Sequence, residues 1–219
     1  MKHTNLMKTI AGLLLLGCLT GCLTDETSHT LYLHPDGSIT VSVLQLNIRS
    51  DGETAHARLK EENEFLVDAR GNAHPAVEEL QDLGAHSIRT TILREERPYA
   101  VLTEGHVASV ELLIREILGD ESDGKVHVNF ESIDSEARLT ITCECAPYLA
   151  DAAAPCDELH EAFSTEPLIL TEGRFIRATG FEIDDTRRRA RLLSTDELDL
   201  NSDKTSVLYS LVWETATTD

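Results

Sequence analysis

The chain has 219 residues, with 19 Lys and Arg against 39 Asp and Glu, a formal net charge of −20, and 41% apolar but only 5% aromatic residues. A surface this acidic repels phosphate backbones, which argues against nucleic acid as a partner because that needs clustered Lys and Arg. The apolar fraction is too high, and its spacing too regular, for a disordered tail.

The first residues carry Lys2 and Lys8, followed by a short Leu-rich stretch from Thr9 to Gly21. This is the anatomy of a secretory signal: a charged head, an apolar middle of about 7–15 residues and a small residue before the cut. The stretch is too short to span a bilayer, which takes roughly 20 apolar residues. Leu19-Thr20-Gly21-Cys22 resembles the lipobox of bacterial lipoproteins. The resemblance implies that the Cys22 thiol takes a diacylglycerol, that the signal is cut in front of it, and that the new amino terminus is acylated. Leu15-Leu16-Gly17-Cys18 fits the same pattern, but cutting there would leave a short apolar core and Cys22 as a spare thiol. Cys22 is therefore the expected lipidation site, with a plain signal peptide as the alternative. Two or more acyl chains anchor stably where one holds only marginally. Loss of residues 1–21 removes two lysines and no acid, taking the charge to −22. The expected location is the extracytoplasmic cell envelope, at the outer membrane if the host has one, since by the same resemblance Leu23 in place of Asp favours that sorting. Residues 22–29 read as a short polar tether.

In chain order, Leu31 to Val41 places alternating apolar runs around His34-Pro35-Asp36-Gly37, with Pro at the first inner turn position and Gly at the close, which predicts a hairpin. In its second run Ile39, Val41 and Val43 share one face while Leu44, Leu46 and Ile48 share the other, so a bulge is expected between Val43 and Leu44. From Glu53 to Gly84 the period is helical. Ala55, Leu59, Leu66 and Ala69 form one stripe and Val77, Leu80 and Leu83 the next, with a break at Gly71-Asn72 and Pro75 and a stop at Gly84. Ile88, Thr90 and Ile92, a turn from Glu95 to Pro98, and then Tyr99 and Val101 predict a second hairpin. Val107, Val110, Ile114 and Ile117 return to helical spacing, with Glu111 near the positive helix start and Gly119 as the stop. Val126, Val128 and Phe130, followed by Leu139, Ile141 and Cys143, predict a third hairpin around Asp134. After an irregular stretch, Leu168 to Leu170, Phe175 to Ile183, Arg189 to Leu193 and Val207 to Trp213 alternate as strands, with a tight turn at Asp184-Asp185-Thr186.

Residues 30–146 thus read ββα-ββα-ββ, and 147–219 as a loop plus a β-rich portion packed on the same body. Amphipathic helices and apolar sheet faces cover one another most simply when the helices lie on one side. The expected fold class is α+β: a largely antiparallel sheet of hairpins with two or three helices on one face, followed by an all-β C-terminal portion.

Three stretches carry a family resemblance: LYLHPDGSITVSV, ERPYAVLTEGHVASVELLIREI, and TEGRFIRATGFEID with VLYSLVWET. Together with the lipobox, their order resembles the LppM-type lipoprotein domain and uncharacterised lipoproteins of soil bacteria. The resemblance implies an envelope α+β domain in contact with lipids or lipoglycans, and it brings no catalytic residues.

The densest chemical feature is Cys143-Glu144-Cys145 followed by Cys156. On a strand, residues two apart point the same way. In an oxidising compartment either Cys143 or Cys145 is expected to pair with Cys156 as a structural disulfide, leaving a spare thiol. A metal site completed by His160 and a redox exchange site are the alternatives, although the spacing matches no familiar zinc motif. Asp199, Asn201 and Asp203 match the first ligand positions of a calcium loop, but Lys204 stands where that loop needs Gly and Ser210 where it needs Glu, so a solvated turn is expected. Glu61-Glu62-Glu64 and Glu78-Glu79 read as exposed helix faces, and Arg187-Arg188-Arg189 as the exposed start of a strand. No H-E-x-x-H, G-x-S-x-G or P-loop occurs, so no catalytic residue, metal or cofactor is nominated. The expectation is a binding or interaction module for an envelope partner or lipid-like ligand; the alternative is an extracytoplasmic hydrolase whose site is assembled from scattered residues.

Overall fold

The computed structural model describes residues 23–118, 126–144, 159, 163, 166–193 and 206–215. Among these the strands are β1 (Leu23–Leu33), β2 (Ile39–Ser50), β3 (His86–Arg94), β4 (Tyr99–Val107), β5 (Val126–Ile133), β6 (Glu136–Glu144), β7 (Leu168–Leu170), β8 (Arg174–Thr179), β9 (Phe181–Ile183), β10 (Arg189–Leu192) and β11 (Ser206–Glu214). The helices are α1 (Ala55–Arg70), α2 (Pro75–Asp82) and α3 (Val110–Leu118). A mixed seven-stranded sheet has the order β3-β4-β2-β1-β7-β10-β9, and an antiparallel four-stranded sheet the order β5-β6-β11-β8. The class is α+β, as the alternation of hairpins and helices predicts.

The described residues divide into two compact units, the first holding those up to Thr30 and Thr40–Val107, the second Leu31–Ile39 and those from Ala108 onward. The division at 107/108 falls inside the segment 30–146.

In the first unit, α1 and α2 form where the periodicity places them. Thr54 caps α1, its hydroxyl accepting from the Ala57 N–H at 3.1 Å, and Pro75 opens α2, where its missing N–H costs nothing. The α1 stripe differs from expectation by a fraction of a turn. Leu59 is 50% exposed, whereas Glu62 is fully buried beside Phe65, Leu66 and Ala69. Ile48, Phe65, Leu66, Ala69, Tyr99 and Val101 form the core here, with Leu23 and Ile92 packed against it. The phase change in β2 occurs later than expected: Ile39, Val41 and Val43 are buried, then Ile48 and Ser50, and the reversal is taken up near Asn47, whose φ is +56°. Residues 23–29, read as a tether, are instead the first part of β1; Thr24 to Ser28 are exposed, and the Thr24 hydroxyl donates to the Arg49 carbonyl at 3.3 Å.

In the second unit, the His34–Gly37 turn closes with Ser38 donating its N–H (3.0 Å) and hydroxyl (2.7 Å) to the Asp36 carboxylate. Gly37 has φ +83°, and a Cβ there would stand 2.6 Å from the Phe130 ring. α3 begins at Val110, with Ser109 Oγ accepting from the Leu112 N–H at 3.1 Å; Val107 belongs to β4. β5 and β6 pair as the third expected hairpin, Phe130 opposite Leu139, with Asp134 at φ +55° in its turn. β7 runs parallel to β1, Leu31 opposite Leu168 and Leu33 opposite Leu170, a pairing no local pattern announces. The stretch Phe175 to Ile183 is two strands in two sheets. They part at Gly180, whose φ is +70° and whose absent Cβ leaves room for the Tyr209 ring. Trp213 is fully buried and meets Phe175 edge-on at 6.2 Å and Phe130 at 5.9 Å.

Candidate functional site

In the second unit, Tyr32 pairs with Ile169 and Ile169 with Arg189, so these three residues form one row across β1, β7 and β10. The residues on either side of the row, Leu31, Leu33, Leu168, Leu170 and Ala190, are buried on the opposite face. Strand pleating therefore turns Tyr32, Ile169 and Arg189 outward. They line a cleft of about 550 Å³ together with Leu170, Thr171, Asp184, Thr186 and Arg188.

The cleft is built at its polar end by the turn between β9 and β10. Asp184 accepts from the Thr186 hydroxyl at 2.7 and 2.9 Å and from the Arg188 and Arg189 N–H groups at 3.1 Å each. The Thr186 hydroxyl, followed by the backbone donors, holds its carboxyl below the ordinary aspartate value. Arg188 donates through Nη2 to the carbonyls of Leu170 (2.9 Å) and Thr171 (2.6 Å). Two neutral carbonyls position the guanidinium without cancelling its charge, and its remaining N–H groups are left for an oxyanion. No carboxylate among the described residues forms an ion pair with Arg187, Arg188 or Arg189, whereas Arg191 pairs with Glu182 at 3.0 Å. Residues 166–193 carry six arginines against five carboxylates, in a chain whose net charge is −20. An aromatic ring, an aliphatic side chain and a positioned guanidinium in one groove can bind an anion with an apolar body.

Two other polar clusters lie in the first unit. Glu62, with 0% side-chain exposure, accepts at Oε1 from Arg97 Nη2 (2.6 Å), Arg97 Nε (3.1 Å) and the Ser50 N–H (2.9 Å). Its Oε2 is buried without a partner among the described residues, and the Ser50 hydroxyl donates to Glu61 in turn. His74, 1% exposed, places Nε2 3.0 Å from both Thr90 Oγ1 and Thr103 Oγ1, and Thr90 donates to Asn72 Oδ1 at 2.7 Å. Burial pushes the His74 imidazole below its ordinary pKa. The histidine–hydroxyl pairing has the composition of a nucleophile and base, but it is sealed from solvent: Nε2 is tied to the two threonines, and Nδ1 is buried without a partner among the described residues. A larger depression of about 760 Å³ runs along α1 past His56, Leu59, Asn63 and Val67; its walls come from one helix alone.

Of the residues singled out in the sequence, Cys22, Cys145, Cys156, His160, Asp199, Asn201 and Asp203 lie outside the described residues. Cys143 is a fully buried free thiol on β6, opposite Val126 and Val207. Arg187, Arg188 and Arg189 are exposed as expected, but Arg188 and Arg189 border a cleft. Glu62 corrects the reading of its run as an exposed face, because Arg97 and the Ser50 N–H draw it inward. Sequence reasoning missed Tyr32, Ile169 and His74; the first two meet only through the parallel β1–β7 pairing. Among the described residues no three His, Cys, Asp or Glu side chains form a metal-binding group, and no helix is long and apolar enough to cross a membrane.

No protein-family model matches the chain, and no curated protein matches it. Among solved structures, the folded domain of the Mycobacterium tuberculosis LppM protein, determined by NMR, aligns with 91% of this chain and 94% of its own, at 7% identity and a TM-score of 0.32. Agreement that coarse is a weak structural resemblance and carries no argument about function.

Proposed function

We propose that the protein is a cell-envelope lipoprotein, held to the membrane through acylated Cys22, whose body works by binding an envelope partner or lipid-like ligand. The observation that supports binding is the outward row Tyr32–Ile169–Arg189 with Arg188 fixed beside it. The sequence that supports the anchor is Leu19-Thr20-Gly21-Cys22 behind a short apolar stretch. An oxyanion would sit on the free donors of Arg188 and on Arg189, and an apolar portion would lie over Ile169 and the Tyr32 ring.

Native mass spectrometry of the full chain, extracted from its own membrane, tests the reading. The wild type is expected to release a bound species that is lost in Arg189→Glu and reduced in Ile169→Asp. Identical spectra for wild type and both variants, with all three folded, would contradict it.

A further inference from the structure

The residue after the lipidation site is docked in the body. Leu23 packs against the core of the first unit, and the next residue, Thr24, bonds the Arg49 carbonyl at 3.3 Å. Cys22 precedes Leu23 directly, so acyl chains on its sulfur are separated from the folded unit by a single residue, a reach of about 3.5 Å. A body joined this closely cannot float away from the bilayer; the end of the unit from which the chain emerges must face it.

The residues at that end follow from the hydrogen bonds. The start of β1 lies beside the end of β2 through Thr24 and Arg49. The end of β2 lies beside the start of β4, because the Ser50 N–H and Arg97 share Glu62 Oε1. β4 starts beside the end of β3, where Ala100 faces Arg94. The β3–β4 register shifts between Ile92 and Arg94, leaving Leu93 as the extra residue of a bulge, 53% exposed. Bulges re-aim side chains out of the ladder. Leu93 stands three strand spacings from Leu23, about 14 Å, at the same end of the sheet. Arg49 and Arg94 are exposed there and have no carboxylate in ion-pair range among the described residues. Arg97 is held by Glu62 and Arg70 by Glu95 at 3.6 Å. The acidic groups at this end include Asp25 at the start of β1, Asp51, Glu53, Glu61, Glu95 and Glu96 besides Glu62.

We propose that this end of the first unit is a membrane-docking face, in which Leu93 enters the headgroup region and Arg49 and Arg94 meet lipid phosphates. The inference rests on acylation at Cys22, and it adds a defined surface and orientation to that reading. An apolar side chain beside unpaired arginines, next to an anchor with almost no slack, suits a phospholipid surface.

The test uses the full acylated chain in phosphatidylcholine–phosphatidylglycerol vesicles containing brominated lipid, with Leu93→Trp compared against His86→Trp. Position 86 lies at the other end of the same strand, about 23 Å away. Trp213, buried in both variants, supplies a common baseline. The tryptophan at 93 is expected to shift to the blue and lose at least about half its emission to the bromines, while that at 86 remains unquenched. Adding Arg49→Glu and Arg94→Glu to the first variant should reduce the quenching. Intact mass of the same preparation reads acylation separately. An acylated chain in which 93 and 86 are quenched equally, or neither is quenched, overturns the docking face and leaves the anchor standing. An unacylated chain overturns both.

Discussion

Arg97→Ala would leave the carboxylate of Glu62 buried, with the Ser50 N–H as its only remaining donor among the described residues. Removing one partner of a buried ion pair costs about 3–5 kcal/mol, because the charge left behind can neither hydrate nor pair. The Arg97 side chain is 44% exposed, so water screens part of the interaction and the expected loss falls to about 2–3 kcal/mol. Glu62→Met in the Arg97→Ala background removes the stranded charge and fills the site with apolar volume, so it should restore most of that loss. Native-state amide hydrogen exchange at Phe65 and Leu66, in the buried stripe of α1, reads the first unit directly. Arg97→Ala should accelerate their exchange on the order of 30- to 100-fold, and the double variant should return close to wild type. An acceleration below about threefold, or a double variant less protected than the single, would refute the claim that Glu62 is a buried charge compensated by Arg97.

Gly180→Ala sets a Cβ against the Tyr209 ring at a φ of +70°, and should lower stability by more than about 2 kcal/mol. Fluorescence of Trp213, the single tryptophan of the chain, will show this as a lower urea midpoint, and an unchanged midpoint contradicts the split into β8 and β9. His74 is held below its ordinary value of 6.5 by burial, so below about pH 6.5 the unfolded chain binds a proton that the folded one refuses. Its contribution is therefore complete above that pH and is lost as the pH falls toward the folded value. His74→Asn should flatten the fall in protection of the first unit between about pH 7 and pH 5, and an unaltered pH profile would exclude His74 as its source.

Much of the fold was legible because turn chemistry is local. The hairpins at His34–Gly37, Asp134 and Asp184–Thr186, and the helix break from Gly71 to Pro75, all stand where Pro, Gly, Asn and Asp placed them. What local pattern could not show is pairing between distant segments. Thr24 to Ser28 are polar and exposed, and they look like a leash until β2 supplies their partners. Glu62 sits in a run of acids, and its inward position depends on an arginine 35 residues away. Ile169 lies in a three-residue strand, and nothing near it in sequence indicates that Tyr32 will lie alongside. Phe175 to Ile183 alternates smoothly, and the corner at Gly180 is set by the Tyr209 ring of a later strand. The arginine run was read correctly as exposed, but its role as the edge of a cleft depends on the carbonyls of Leu170 and Thr171.

The central claim is attachment through one sulfur, and intact mass of the protein extracted by detergent from its native cell tests it most directly. The account predicts a mature chain beginning at Cys22 that carries the mass of a diacylglycerol and an added acyl group, and that fractionates with membranes. Cys22→Ala should remove both the added mass and the membrane association. A wild-type chain that retains residues 1–21 without added lipid mass, and that fractionates with cytosolic proteins, would contradict it.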